Sequence, residues 1–115
     1  MHTQPGASKI VVTHNAAVAN GNGTIVHLAH PADGHYPTVA VQVEGISGDT
    51  ITFEASLDNS TWYSVELTSI GASATKATTA TADGIMWGFL PAVPYFRTRL
   101  TRSAGTVTVT VCAAS

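Results

Sequence analysis

From Thr38 to Glu44 the chain alternates, with Val39, Val41 and Val43 on one side and Ala40, Gln42 and Glu44 on the other. That period of two is the mark of a strand with one face on a core. Gly45-Ile46-Ser47-Gly48 then turns the chain, and the alternation resumes: Ile51, Phe53 and Ala55 against Thr52, Glu54 and Ser56. Asp58-Asn59-Ser60 supplies side chains that bond their own backbone and tolerate turn geometry. Tyr63, Val65 and Leu67 continue as a returning strand against Ser64 and Glu66. Further on, Gly84 to Leu90 is a strand stopped by Pro91 and Pro94, with Ile85, Trp87 and Phe89 as its core face. Phe96, Thr98 and Leu100 alternate with Tyr95, Arg97 and Arg99. Val107, Val109 and Val111 define the inner face of a last strand, with Thr106, Thr108, Thr110 and Cys112 opposite.

Two more strand candidates precede these, Lys9 to Thr13 and Thr24 to Leu28. Asn20-Gly21-Asn22-Gly23 and Pro31-Ala32-Asp33-Gly34 read as turns. Ala72 to Ala82, rich in Ala and Thr, predicts an exposed edge strand or a long loop. No helical period occurs. Short strands recur about every ten residues, which predicts an all-β chain. One-sided strands bury their faces by pairing two sheets. The expected fold is a single two-layer antiparallel β-sandwich over residues 9–115, jelly-roll-like or immunoglobulin-like. Residues 1–8, with Pro5-Gly6, form an extended N-terminal arm in this reading. Ser47 to Phe53 also echoes Ser103 to Val109, each a small-residue turn before a Thr-alternating strand, which is shared hairpin grammar.

Composition narrows the function. Charged residues are 10% of the chain, against about 25% for a typical soluble domain. Five Lys plus Arg and a net charge of −2 exclude the dense basic face that nucleic acid requires. The same deficit excludes electrostatic docking to an anionic membrane. No apolar run reaches the length of a membrane span, and the N-terminus lacks the basic start and apolar centre of a signal peptide. Cys112 is the lone cysteine, so no internal disulfide forms. A surface this poor in charge fits either a well-hydrated Thr- and Ser-rich β-protein or one that meets other subunits.

Candidate chemistry is thin. His27, His30 and His35 lie near Asp33, but their spacing is no recognised metal signature, so neither metal nor cofactor is expected. Cys112 has no adjacent base or elbow, and Glu44, Glu54 and Glu66 fall on outward, solvated positions of separate strands. The chain is therefore expected not to be an enzyme. Trp62 and Tyr63 point to opposite sides by alternation, so one faces outward and can contact a partner or stack on a sugar ring. Trp87 is assigned to the core. Arg97 and Arg99 share a strand face and either pair with Glu44, Glu54 or Glu66 or reach a partner. The candidate contact residues are thus Trp62, Tyr63, Arg97 and Arg99.

The run from Val41 to Trp62, with its Ser-x-Asp-x-x-x-Trp segment (Ser56, Asp58, Trp62), precedes a late aromatic-Arg-x-Arg strand, Phe96-Arg97-Thr98-Arg99, and the hairpin Gly105-Thr106-Val107. Together these resemble small β-sandwich virion proteins of tailed bacteriophages, over residues 38–111. The resemblance implies a structural role: a capsid decoration (cement) protein, or a tail or fibre component. It implies the major capsid protein or other virion proteins as partners, self-association on the particle, and assembly into virions in the host cytoplasm. The alternative is a carbohydrate-binding module for host attachment, resting on Trp62 and Tyr63.

Overall fold

The computed structural model describes residues 8–30, 34–71 and 74–115. Among the described residues there are fourteen strands, many of them two-residue rungs. They are β1 (Ser8–Ala17), β2 (Gly21–Asn22), β3 (Val26–His27), β4 (Ala29–His30), β5 (Gly34–His35), β6 (Thr38–Glu44) and β7 (Thr50–Ser56). Then follow β8 (Tyr63–Ser64), β9 (Leu67–Ser69), β10 (Lys76–Ala77), β11 (Thr79–Ala80), β12 (Gly84–Phe89), β13 (Tyr95–Thr101) and β14 (Val107–Ala114). The first sheet has the order β1-β14-β6-β12-β9-β10. The second has β11-β7-β13-β2, with β3 also on β13 and β8 also on β7. All pairings are antiparallel.

The pairings nest. β1 pairs with β14, β2 and β3 with β13, β6 with β12, and β7 with β8 and β11. A long hairpin folded from its two ends and rolled into two sheets has this connectivity, and it is a jelly roll rather than an immunoglobulin arrangement. Rolling puts consecutive long strands in opposite sheets: β6 and β7, β12 and β13, β13 and β14.

The alternating valines meet their expectation. Val39, Val41, Val43, Val107, Val109 and Val111 are buried in the first sheet. Ile51, Phe53, Phe96 and Leu100 face them from the second, and Phe53 and Phe96 are the largest fully buried side chains. Each such ring contributes about 1.5–3 kcal/mol relative to exposure. One polar side chain sits among them. Thr98 is fully buried, and its hydroxyl bonds the Thr13 hydroxyl at 2.9 Å. Gly23 donates its N–H to the Thr98 carbonyl at 2.7 Å, and Thr24 donates to the Thr13 carbonyl at 3.1 Å. These bonds join β1 of one sheet to β13 of the other. Register shifts in β1 on either side of His14 let Thr13 and His14 both turn inward, with Ala16 at φ 49°.

Several expectations change. Asn20 to Gly23 is more than a turn, because Gly21 and Asn22 pair with Leu100 and Arg99 as an edge of the second sheet. Tyr63 to Leu67 is two elements: β8 lies in the second sheet and β9 in the first, so the chain changes sheets at Val65-Glu66. Tyr63 is exposed, while Leu67 is buried. Of the arm, Ser8 already belongs to β1, and residues 1–7 lie outside the described residues. The Ala/Thr stretch contributes short edge strands to both sheets, β10 and β11. The largest change concerns β12. Its buried residue is Met86, with Leu90 just beyond, while Ile85, Trp87 and Phe89 face solvent. Trp87 is therefore not a core residue. Gly88 faces inward against the Leu67 side chain, which a Cβ at this position would displace.

The echoing turns meet. Asp49, almost fully buried, accepts hydrogen bonds from the N–H groups of Ser47, Gly105 and Ser103, the first two at 2.8 and 3.0 Å. One carboxylate thus ties the β6–β7 turn to the β13–β14 turn. The bonds hold it below the ordinary carboxylate range, with Ser103 the largest cause.

Candidate functional site

On the outer face of the second sheet, β7 and β13 place Glu54 opposite Arg97. Glu54 is only 7% exposed, so it is not the solvated residue that alternation suggested. Its two oxygens accept separately from Arg97 Nε at 2.8 Å and Arg99 Nε at 3.2 Å. The Arg97 guanidinium also lies over the Trp62 ring, 4.1 Å from its centroid. Trp62 therefore covers the arginine that pairs with Glu54, on the polar face of β7, which is buried as its apolar face is. Of the three acids weighed as partners for the arginines, Glu54 takes both. Arg97 is committed within the protein, Arg99 is more open with 43% of its side chain exposed, and Trp62 is half-buried.

Tyr63 stands apart from this cluster, 71% exposed. It lines an open cleft of about 540 Å³ with Ala55, Leu57, Val65, Val93 and the polar residues Ser56, Asp58 and Thr61. The Asp58 turn forms one wall. Asn59 adopts φ 59°, as a turn Asn can. Asp58 accepts from the N–H groups of Thr61 and Ser60 and from the Ser56 hydroxyl, all within 2.8–2.9 Å. Thr61, Ser60 and Ser56 bonding, in that order, lowers its pKa to about 2. Asp58 is a fixed acceptor spent on the turn rather than a general acid. The cleft offers one aromatic face and aliphatic walls.

The third feature is the outer face of the first sheet, which the sequence reading missed. Register sets Ile10, Cys112, Ala40 and Trp87 in one row across β1, β14, β6 and β12. Val12, Thr110, Gln42 and Ile85 form the next row, and Ser8, Ala114, Thr38 and Phe89 the third. Ile10 is 70% exposed, Val12 49%, Ile85 40%, Trp87 44% and Phe89 61%. Glu44 at the end of β6 and Lys76 on the edge strand β10 border the face. Between them lie only apolar, Thr, Ser and Gln side chains. An exposed face with this many large apolar side chains is a candidate protein-contact surface. The legible signal was that both faces of β12 carry large apolar residues.

His27 and His35 make separate contacts, and the His30 side chain lies outside the described residues. His27 packs edge-on against Tyr95 at 5.5 Å, and His35 Nε2 lies 3.3 Å from the Leu90 carbonyl. Asp33 lies outside the described residues. Among those described, no group of three or more His, Cys, Asp or Glu side chains is placed to hold a metal.

No protein-family model matches the chain, and no curated protein sequence does. Solved structures do match in shape. The PBSX exported protein XepA gives a TM-score of 0.86 at 15% identity, over 100% of this chain and 40% of that chain. The SPBc2 prophage-derived protein YomS gives a TM-score of 0.82 at 19% identity, over 100% of this chain and 99% of that chain. At such identities the likeness is one of fold, and these two neighbours are phage-derived proteins.

Proposed function

We propose that this chain is a non-enzymatic structural protein of a bacteriophage particle, and that it decorates the capsid across neighbouring subunits. The observation that carries the reading is the broad, uncharged outer face of the first sheet, with Ile10, Ile85, Trp87 and Phe89 exposed on it. A face of that kind is stabilised by removal from water against protein, since apolar burial is non-directional and scales with area. The phage-derived origin of the fold's neighbours supports the setting. Each bound copy would stabilise a shell by mass action. The test is co-sedimentation of the purified protein with intact particles and with isolated capsids of a phage that encodes it. Binding at fixed stoichiometry is expected on capsids, and absence from both overturns the proposal.

The Tyr63 cleft favours a second reading, a carbohydrate-binding module. There, Tyr63 rather than Trp62 is the free stacking platform, because Arg97 occupies the Trp62 ring. A glycan array with a hit that Tyr63→Ala abolishes and Trp87→Glu preserves would move the function to this cleft. An array without hits removes the reading.

A further inference from the structure

We infer that the outer face of the first sheet receives one α-helix of a capsid subunit, lying along the strands in a trough between β1 and β12. The inference rests on the particle reading, because it names the element of the shell that the same surface grips.

The first argument is relief. Ile10 and Val12 on β1, and Ile85, Trp87 and Phe89 on β12, are exposed and stand as two ridges. Between them, β14 and β6 carry Cys112 and Ala40 in the central row, both part-buried, as a floor. In the order β1-β14-β6-β12 the ridges are three strand spacings apart, about 14 Å centre to centre. An α-helix with its side chains is about 10–12 Å across, so it reaches the floor and both walls. A single extended strand, about 4.8 Å wide, leaves one wall bare, and a flat sheet rests on the ridges above an unfilled floor. The seven residues of β6 make the trough about 24 Å long, the length of about sixteen helical residues.

The second argument is charge. The floor and both ridges are uncharged, so the helix must lay an uncharged face against them. The two ends of the trough differ. At one end Glu44 is exposed and accepts from Gln42, and Asp83, just before β12, accepts the Ile46 N–H. At the other end Ser8, Ala114, Thr38 and Phe89 are neutral, and Lys9 is held by the His27 carbonyl. Two carboxylates at one end complement the positive N-terminus of a helix, which sets the helix direction: N-terminus towards Glu44.

The third argument is area. A trough about 14 Å by 24 Å covers about 340 Å², or about 700 Å² over both partners. That is short of the roughly 1,000 Å² of a stable binary interface. An isolated helix therefore binds weakly, and the grip comes from this contact combined with others on neighbouring subunits. The whole capsid is thus the probe.

The experiment measures co-sedimentation of the purified protein and its variants with capsids of a phage that encodes it. Ala40→Trp adds apolar area but fills the trough. It should leave Tm unchanged and weaken capsid binding at least about tenfold. Thr110→Phe, one strand over on the same floor, makes the same test if Ala40→Trp fails to fold. Glu44→Lys should weaken binding about twofold to fivefold at low salt, and unchanged or tighter binding overturns the helix direction. A photoreactive diazirine amino acid at Ile10, and separately at Val12, then reports the partner's shape. These positions are about 6.8 Å apart, so a helix is crosslinked at residues four apart in one capsid segment. Crosslinks two residues apart, in unrelated segments, or to another copy of this chain overturn the inference. Trp87→Glu separates the two levels. If it weakens binding while Ala40→Trp does not, the particle reading stands and the helix is overturned. If Trp87→Glu leaves binding unchanged, or no variant binds capsids at all, the reading fails and takes the helix with it.

Discussion

Asp49 and His14 are the two buried ionisable groups whose protonation the fold opposes, and they act in different pH windows. His14 sits beside Thr98, and desolvation lowers its pKa against the weaker, opposite effect of the Thr98 carbonyl. Its neutral form is the folded one. Stability from His14 is therefore complete above its unfolded pKa of about 6.5 and is lost as pH falls through the lower folded value. Asp49 and Asp58 are held ionised by backbone N–H groups. Their contribution is complete above about 3.9 and is lost as pH falls further, towards about 2 for Asp58. Thermal melts should show a plateau above pH 7, a first decline below about 6.5 and a steeper one below about 4. His14→Gln should flatten the first decline. Asp49→Asn should lower Tm at neutral pH, because an amide presents a donor where three backbone donors converge, and it should blunt the second decline. A neutral-pH Tm unchanged in Asp49→Asn would count against this turn lock. Glu54 belongs to the same scale. Removing it leaves Arg97 and Arg99 adjacent and without their carboxylate, so Glu54→Ala should cost about 3 kcal/mol by urea denaturation.

Among the elements, β12 shows where alternation stops being informative. In β6 and β14 one face is Val, with Ala113 at its end, and the other is Thr, Gln, Glu, Cys or Ala, so polarity and size decide which side is in. In β12 both sides read as apolar: Ile85, Trp87 and Phe89 against Met86, Gly88 and Leu90. A one-residue change of register exchanges the faces, and side-chain size alone favours the wrong one. The inward side is set by Leu67, a residue from another strand, which fills the space over Gly88. Gly88→Ala should therefore cost about 1–3 kcal/mol, since Leu67 is buried and has little room to move. Phe89→Ser, on the opposite face, should change stability by less than about 0.5 kcal/mol. Equal effects from the two variants would contradict the observed register. β7 makes the converse case. Its Thr52-Glu54-Ser56 side looked solvated because it is polar, yet Trp62 and Arg97 cover it.

At the scale of the molecule, the sequence by itself determined the class and most of the core. Strict alternation in β6, β13 and β14, and the turns at Gly45–Gly48 and Asp58–Ser60, are local properties. A strand with one apolar face must bury it, so two stacked sheets follow from short-range pattern alone. Tertiary structure decided the rest. Jelly-roll nesting depends on which strands pair across the whole length of the chain, as β1 does with β14, and no local window encodes that choice. The pairing of Glu54 with both arginines, the isolation of Tyr63 beside its cleft, and the apolar outer face of the first sheet come from residues far apart in sequence. Side chains such as Ile10 and Trp87 are ordinary core candidates when read singly. They become a surface only when register carries them to the same outer face, because burial is a property of the neighbours a side chain acquires on folding.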